Sequence, residues 1–209
     1  MAKIGLIDYG MGNIFSVQQA FKRVNQPLDV VCDHKTLKRC DALILPGVGS
    51  FDPAMTNLNN IDLIPSIIDW VNNGKPLLGI CLGLQLLFES SEEGNLKGIG
   101  VIKGKVRKLS KEKNERIPHI GWSPICKTNE CPILENYPDS NWMYFVHSYS
   151  AFPLEQKNIA ATTKFGSAAI SAIVWHKNTG ACQFHPEKSG LAGQKLIFNW
   201  INWLKKTKF

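Results

Sequence analysis

The sequence predicts a single α/β domain over residues 1–209, with a central, mostly parallel sheet, helices on both faces and antiparallel strands added in the second half. Two observations predict this fold class. In the first half, short apolar runs alternate with amphipathic helical stretches, which favours parallel strands joined by helices. From about residue 99 onward, strand-like runs follow one another without such helices, which favours antiparallel pairing.

The first half alternates between predicted strands and predicted helices. The strands are the apolar runs at residues 3–8, 28–31, 42–45 and 77–80. The helices are one that Asn13 caps, one at residues 63–71 and one at residues 84–88. The first of these helices is expected to bury Val17, Ala20, Phe21 and Val24.

The second half consists of predicted strands and one closing helix. The strands are the runs at residues 100–102, 105–109, 143–147, 159–163, 170–175 and 181–184, all expected to join the same sheet. Asn178, Thr179 and Gly180 are predicted to form the hairpin turn between the last two strands. The closing helix spans about residues 191–205, and its apolar stripe is expected to face the core.

Cys81 stands where a predicted strand turns sharply into a helix, between Gly79 and Gly83. This arrangement is typical of a nucleophile elbow, in which the reactive atom lies on a strained turn. Glycines are expected there because side chains two residues either side of the nucleophile would clash across the turn. The N–H groups that begin the following helix favour a thiolate. The alternative is a buried cysteine without a chemical role, which the two glycines make the weaker interpretation.

A thiol nucleophile needs a base, and the base needs an orienting group. The segment QFHPE at residues 183–187 offers both, because His185 and Glu187 are two residues apart and point to the same side of an extended chain. The remaining histidines are expected to be structural, and no spacing of histidines and acids indicates a metal site; they are His34, His119, His147 and His176.

The segment PGVG at residues 46–49 follows a predicted parallel strand. Open α/β sheets bind ligands at the carboxyl ends of their strands. Backbone N–H groups of such a loop can face a developing oxyanion. A plain turn explains this segment equally well when it is taken alone.

These motifs together resemble a known family. GICLGLQ at residues 79–85, followed by QFHPEKS at residues 183–189, is similar to the triad, or class I, glutamine amidotransferases. The finer resemblance is to the glutaminase subunits of imidazole glycerol phosphate synthase, which serve histidine biosynthesis. It covers nearly the whole chain and also includes DYGMGN at residues 8–13, HIGW at residues 119–122 and the segment at residues 144–149.

The resemblance implies a flavodoxin-like fold and hydrolysis of L-glutamine by Cys81, His185 and Glu187, with no cofactor and no metal. It implies an oxyanion hole formed by the N–H groups of Val48 or Gly49 and of Leu82. The implied glutamine-binding residues are Glu93 for the α-amino group, Gln85 for the α-carboxylate end, and the backbone at Ser148 and Tyr149.

The resemblance also implies a separate partner, a (β/α)₈-barrel synthase subunit that receives the ammonia in a heterodimer. The positions that match residues near its interface are Asn13, Trp122, Tyr144 and Lys188. Low glutaminase activity without the partner is expected if the oxyanion loop is out of place until docking.

Two departures from the family pattern concern the partner rather than the triad. Ser123 stands where asparagine is usual, and the lysine-rich segment after Lys103 is divergent. One alternative is therefore a paralogue that supplies ammonia for amidination of a surface-polysaccharide sugar. Two others are a catalytically silent regulatory scaffold, which the intact triad disfavours, and a hydrolase or stress protein of similar fold, which QFHPE and Gln85 disfavour.

Composition excludes few classes but favours a cytoplasmic protein. No apolar run is long enough to cross a bilayer, and the N-terminal residues lack the pattern of a signal peptide. The six cysteines are expected to be free. Much of the net charge of +7 lies in residues 103–116, where a solvated hairpin is favoured over a nucleic-acid surface because no aromatic residues are interleaved.

Overall fold

The computed structural model describes residues 2–110, 116–137 and 141–207. Its strands are β1 (Ile4–Ile7), β2 (Leu28–Val31), β3 (Ala42–Leu45), β4 (Leu77–Ile80), β5 (Ser90–Ser91), β6 (Gly104–Lys108), β7 (His119–Lys127), β8 (Asn141–His147), β9 (Tyr149–Pro153), β10 (Ile159–Phe165), β11 (Ala168–His176) and β12 (Thr179–Cys182). Its α-helices are α1 (Ile14–Lys22), α2 (His34–Lys38), α3 (Phe51–Asn60), α4 (Ile64–Asn72), α5 (Leu82–Leu86) and α6 (Gly190–Lys206). Short 3₁₀ helices lie at Pro132–Leu134, Gln156–Asn158 and Pro186–Lys188.

The main sheet has the strand order β2-β1-β3-β4-β12-β11-β10-β7-β8. The first five strands in this order are parallel, and the remaining pairs are antiparallel. The predicted fold class, an α/β domain with parallel strands first and antiparallel additions second, is confirmed. Strand β12 lies beside β4 and runs parallel to it. The segment that follows β12 therefore begins at the same edge of the sheet as the turn that follows β4.

Helices cover both faces of the sheet and enclose two cores. On one face α1 and α6 pack together, with the ring of Phe21 edge-on to Trp200 at 6.0 Å between centroids. On the other face α3, α4 and α5 bury residues such as Phe51, Trp70 and Leu84. Asn13 caps α1 as expected, because its Oδ1 accepts a hydrogen bond from the N–H of Ser16 at 3.1 Å.

The expectation that every second-half strand joins the main sheet is wrong for β6. It pairs with β5 and β9 in a separate three-stranded sheet, so it is not part of a local hairpin either. Only Val106 of this strand is buried, and Lys103 forms an exposed ion pair with Glu89 at 2.9 Å. This supports a solvated basic segment, although Lys111 and Lys113 lie outside the described residues.

Two local predictions are corrected by packing. Residues 100–102 form a bend rather than a strand, with Ile102 buried. The last hairpin turns at Lys177 and Asn178, with a φ of +53° at Lys177, whereas Thr179 and Gly180 already belong to β12. Gly180 is needed within the strand because a Cβ there would lie 2.4 Å from the ring of Trp175.

Candidate active site

The turn between β4 and α5 places Cys81 at the carboxyl edge of the main sheet. Cys81 has φ +54° and ψ −108°, a backbone conformation that non-glycine residues rarely adopt. Its N–H donates to the carbonyl of Cys182 at 2.8 Å, and its carbonyl accepts from Leu84 at 3.0 Å. The turn is therefore fixed from both sides, and a strained residue held in this way is typical of a functional site. Because α5 has only five residues, the local N–H groups contribute more here than a helix macrodipole does.

The glycines around Cys81 are required by close backbone contacts. A Cβ on Gly79 would lie 3.1 Å from the carbonyl group of Gly83, as expected for a clash across the turn. A Cβ on Gly83 would lie 1.8 Å from the carbonyl oxygen of Leu45 on β3, so this glycine also lets α5 pack on the sheet.

Replacing Gly83 with alanine should therefore destabilise the protein by roughly 3 kcal/mol or more, because neither backbone segment can move away from the new methyl group. Urea unfolding of the purified variant measures the change. Gly121→Ala is a useful comparison, because its Cβ would meet nothing within 4 Å although its φ of +133° adds strain. Equal, small losses in both variants would contradict the packing argument.

His185 and Glu187 follow β12 and meet Cys81 from the neighbouring strand end. The Nδ1 of His185 lies 2.6 Å from Oε1 of Glu187, and both side chains are buried. Burial lowers the pKa of His185, but its hydrogen bonds with Cys81 and Glu187 outweigh burial and raise that pKa to about 10. The imidazole is thus held in its charged form between a sulfur and a carboxylate, an environment that favours a thiolate nucleophile.

A cavity of about 240 Å³ opens above Cys81 and His185. Its walls include the residues expected in the oxyanion hole and in the glutamine site, which are Val48, Gly49, Leu82, Gln85, Glu93, Ser148 and Tyr149. Three further lining residues were not predicted from the sequence, namely Pro118, Val146 and His147. Glu187 does not line this cavity and lies behind the imidazole.

The expected oxyanion donors differ in their availability. The N–H of Leu82 begins α5 and so has no acceptor within the helix. The N–H of Val48 donates to the carbonyl of Met11 at 3.0 Å, so it does not point into the cavity. Gly49 has a φ of +97° and precedes Ser50, the N-cap of α3. Of the two alternatives for the loop donor, Val48 would therefore need a change of backbone orientation to serve.

The side-chain amide of Gln85 is hydrogen-bonded within the protein. Its Nε2 donates to the carbonyl of Tyr149 at 3.0 Å and to Oε1 of Gln183 at 3.1 Å. A side-chain amide has two N–H donors, and both are used within the protein. These bonds hold Gln85 against the pocket wall. Its contact with the α-carboxylate end of glutamine stays a prediction, and a contact through the amide nitrogen would require one of these bonds to break.

Gln183 was not predicted, although it begins the QFHPE motif. It is fully buried, and its Nε2 donates to Sγ of Cys81 at 3.8 Å. Its position follows from the pairing of β12 with β4, which the sequence does not display locally. Gln183 thus donates a hydrogen bond to the sulfur of Cys81, and its own orientation is fixed by the hydrogen bond from Gln85.

Glu93 lies at the rim of the cavity after β5. Its Oε2 accepts a hydrogen bond from the N–H of Phe51 at 2.9 Å, which orients the carboxylate. Partial burial raises the pKa of Glu93, while the hydrogen bond from Phe51 acts in the opposite direction. A carboxylate fixed in this way can accept a hydrogen bond from the ammonium group of a bound amino acid.

Comparisons with known proteins give the family of this chain. The family model described as glutamine amidotransferase class-I matches residues 5–203. This chain belongs to the class I glutamine amidotransferases.

Relatives of this amidotransferase carry a more specific name. The imidazole glycerol phosphate synthase subunit HisH of Prochlorococcus marinus strain NATL2A is 78% identical over 209 residues, which cover 100% of both chains. The protein of the same name from strain MIT 9211 is 60% identical, over 96% of this chain and 94% of its own.

Solved structures show the same fold. PurLQS from Thermotoga maritima aligns with a TM-score of 0.76 at 18% identity, over 98% of this chain and 100% of that chain. The glutaminase domain of Trypanosoma brucei CTPS, with bound acivicin, aligns with a TM-score of 0.71 at 19% identity, over 100% of this chain and 96% of that chain.

Beside the cavity, the amidotransferase exposes an apolar surface on β7 and β8. We call it the β7–β8 face, and its residues are Ile120, Trp122, Trp142, Tyr144 and Val146. The rings of Trp122 and Tyr144 lie on paired positions with centroids 6.0 Å apart, and Nζ of Lys188 lies 6.0 Å from the Tyr144 ring. Half of the Trp122 surface is exposed. Asn13, the fourth expected interface residue, is engaged in capping α1.

Proposed function

We propose that this chain, as one amidotransferase domain over residues 1–209, hydrolyses L-glutamine to glutamate and ammonia. We further propose that it passes the ammonia to a separate (β/α)₈-barrel synthase subunit, which makes imidazole glycerol phosphate and aminoimidazole carboxamide ribotide in histidine biosynthesis. The observation that carries the proposal is the buried Cys81, His185 and Glu187 assembly beneath a cavity with room for an amino acid. The names of the relatives support the synthase assignment.

The reaction begins with attack of the Cys81 thiolate on the side-chain amide carbon of glutamine. The negative charge that develops on the amide oxygen is stabilised by backbone N–H groups, of which Leu82 supplies one and the loop at Val48 and Gly49 the other. Each such donor contributes about 3 kcal/mol to the barrier reduction. His185 then gives its proton to the departing nitrogen and the carbon–nitrogen bond breaks. Ammonia is released, and the glutamyl group remains bound to Cys81 as a thioester.

Water completes the cycle. His185, now neutral, takes a proton from a water molecule, whose oxygen attacks the thioester carbonyl. The carbon–sulfur bond breaks, glutamate leaves, and Cys81 and His185 regain the starting proton distribution. Glu187 holds the imidazole through Nδ1 and stabilises its charged form in both steps.

Glutamine would be held by its α-amino and α-carboxylate groups. The carboxylate of Glu93 accepts the α-ammonium at the rim, and backbone groups of Ser148 and Tyr149 form the opposite wall. Neutral amide hydrolysis needs no cofactor in this scheme. Among the described residues, no three histidine, cysteine or acidic side chains are grouped so as to hold a metal ion.

The separate partner follows from the chemistry of ammonia and from the exposed surface. Ammonia released to water near neutral pH is mostly protonated and lost as a nucleophile, so a docked acceptor is needed. The β7–β8 face adjoins the mouth of the cavity, because Val146 lines both. An exposed patch with two tryptophans next to an active site is typical of a docking surface.

Two contacts support stimulation of the glutaminase by docking. The carbonyl of Tyr144, on the β7–β8 face, accepts a hydrogen bond from the N–H of His185 at 3.0 Å. The N–H of Val48 is bound to the carbonyl of Met11, so in the free chain Val48 is not available as the loop donor of the oxyanion hole. A partner that bears on the rim at Val48 and Val146 would be positioned to change both.

Trp122→Ala should weaken binding of the barrel subunit at least tenfold, because a buried aromatic residue at an interface centre often contributes about 2 kcal/mol. Titration calorimetry measures the affinity. Leu191→Ala is the control, since Leu191 is 84% exposed on α6, and it should leave the affinity unchanged. Equal affinity of the two variants would contradict docking through the β7–β8 face.

Glutamate release tests the function and separates it from its alternatives. The purified chain is assayed with and without a barrel synthase, and with an enzyme that amidinates a surface-polysaccharide sugar. Release stimulated by the barrel supports the proposal, and stimulation only by the sugar-modifying enzyme would move the acceptor to that pathway. No release in any combination would leave a regulatory scaffold.

We place the reaction in the cytoplasm, which the six unpaired cysteines support. No helix within the described residues is long and apolar enough to cross a membrane.

A further inference from the structure

Strands β7 and β8 carry two different sets of side chains on their two faces. The outward positions pair Ile120 with Val146 and Trp122 with Tyr144, which belong to the β7–β8 face. The inward positions pair His119 with His147 and Ser123 with Met143, and both His147 and Met143 are buried. Residues directly opposite on paired strands share a face. The proposed docking surface and a histidine cluster are therefore two sides of one strand pair.

A continuous hydrogen-bonded chain runs through these inward residues. Oγ of Ser123 lies 2.9 Å from Nε2 of His119, and Nδ1 of His119 lies 3.1 Å from Nε2 of His147. Nδ1 of His147 lies 2.8 Å from the carbonyl oxygen of Tyr149. The sequence alone offered no reason to connect Ser123 with either histidine.

The direction of the protons in this chain follows from its last acceptor. A carbonyl oxygen can only accept, so Nδ1 of His147 carries the proton. The titratable groups that face His147 are His119 and His185. Burial lowers the pKa of His147 to about 3; the hydrogen bond to the Tyr149 carbonyl acts in the opposite direction, and the two histidines add to the lowering. The ring is therefore neutral, its Nε2 accepts, and His119 donates from Nδ1. The Nε2 of His119 lies within hydrogen-bond distance of the Ser123 hydroxyl, which can donate or accept.

The carbonyl of Tyr149 connects this chain to the catalytic sulfur. It accepts a second hydrogen bond, from Nε2 of Gln85, and Gln85 in turn fixes Gln183 beside Cys81. Tyr149 and its neighbour Ser148 line the cavity proposed for glutamine. The Tyr149 carbonyl therefore orients both the pocket wall and, through Gln85, the side chain of Gln183 that donates to Sγ of Cys81.

We propose that Ser123, His119 and His147 act as positioning residues. They form a hydrogen-bonded relay that fixes the orientation of the Tyr149 carbonyl, and through it the shape of the glutamine pocket. The relay starts on the same strand pair that carries the β7–β8 face. This inference rests on the proposed glutaminase function and adds a route by which that surface and the pocket are joined. None of the three residues needs to exchange a proton with glutamine. Ser123 is the residue by which this chain departs from the asparagine expected at that position, so the relay is set here by a hydroxyl group.

Nuclear magnetic resonance of the imidazole nitrogens tests the relay without glutamine or a partner. The chain has five histidines, so each can be assigned by a His→Gln variant in a ¹⁵N-histidine-labelled sample. We expect His147 to remain neutral with the proton on Nδ1 between about pH 5.5 and 8, whereas an exposed histidine titrates in that range. Protonation of His147 in this range, or a proton on Nε2, would overturn the relay.

Kinetics of Ser123 variants test its effect on the pocket. With saturating barrel subunit, Ser123→Ala should raise KM for glutamine about fivefold, the effect of losing about one hydrogen bond, with kcat within about twofold of the wild type. Ser123→Thr keeps the hydroxyl group and should restore KM. An unchanged KM in Ser123→Ala, or failure of Ser123→Thr to restore it, would overturn the positioning role.

The two measurements also separate this inference from the proposed function. If the wild-type chain releases no glutamate with any partner, the proposed function fails, and the imidazole spectra still decide whether the relay exists. If glutamate is released but His147 carries its proton on Nε2, the function stands and the relay fails.

Discussion

Replacing Cys81 with alanine should lower glutamate release by about a thousandfold or more, both alone and with the barrel subunit. The reason is that no other thiol can reach the amide carbon. Cys182, on the neighbouring strand, is fully buried, and burial raises its pKa well above the ordinary value. Synthesis supplied with ammonium salt should persist in the Cys81→Ala complex, because the acceptor chemistry belongs to the partner. A coupled glutamate dehydrogenase assay measures the first quantity and product chromatography the second.

Cys32→Ala is the matched control for that prediction. Cys32 is an exposed free thiol just after β2, away from the cavity lining, so its replacement should leave both activities within about twofold of the wild type. Glutamate release by Cys81→Ala at more than about a tenth of the wild-type rate would contradict covalent catalysis by this sulfur.

Replacing Glu187 with glutamine should lower kcat by about a hundredfold to ten-thousandfold, with a smaller change in KM. The substitution keeps the shape of the side chain but removes the charge that, together with the hydrogen bond to Cys81, raises the pKa of His185 to about 10. The pKa of His185 should therefore fall in the variant, and the imidazolium should be lost at a lower pH. A pH profile of glutamate release measures both effects.

Stability must be measured alongside the Glu187 variant. The raised pKa of His185 adds stability at pH values below the unfolded pKa of about 6.5, and this stability is lost as the pH rises through about 10. In Glu187→Gln that loss should move to lower pH. Glu135→Gln is the control, because Glu135 is exposed and pairs with Lys206 at 3.3 Å. Equal activity of the two variants would show that Glu187 does not orient the base.

The strands that could be predicted best are the short apolar ones. The predicted bounds of β2, β3 and β4 agree with the structure. Strands β3 and β4 are buried throughout and therefore read as continuous apolar runs, whereas β2, at the edge of the sheet, exposes Asp29 and Val30. Strand β7 was missed, since Gly121 and Pro124 interrupt its pattern and proline disfavours a strand. Helix α3 was missed because its segment contains Pro53 and many polar residues, yet proline is tolerated in the first turn of a helix.

The site could be predicted where its residues lie in short motifs. Cys81, His185 and Glu187 are identified by their immediate neighbours, and adjacency of β4 and β12 brings them together. Gln183 and His147 could not be found in this way, because their importance depends on which strand ends meet at the cavity. The bond between Val48 and Met11 is a property of the backbone, so no side-chain pattern indicates it.

The most direct test of the account follows the amide nitrogen of glutamine. The chain and a barrel synthase are supplied with [amide-¹⁵N]glutamine, the ribotide substrate of the synthase and an excess of unlabelled ammonium. The account predicts that imidazole glycerol phosphate carries the ¹⁵N label with little dilution, in amounts equal to the glutamate released, and that Cys81→Ala gives only unlabelled product. Label that appears in bulk ammonia and not in the product, or product formed without glutamate release, would contradict it.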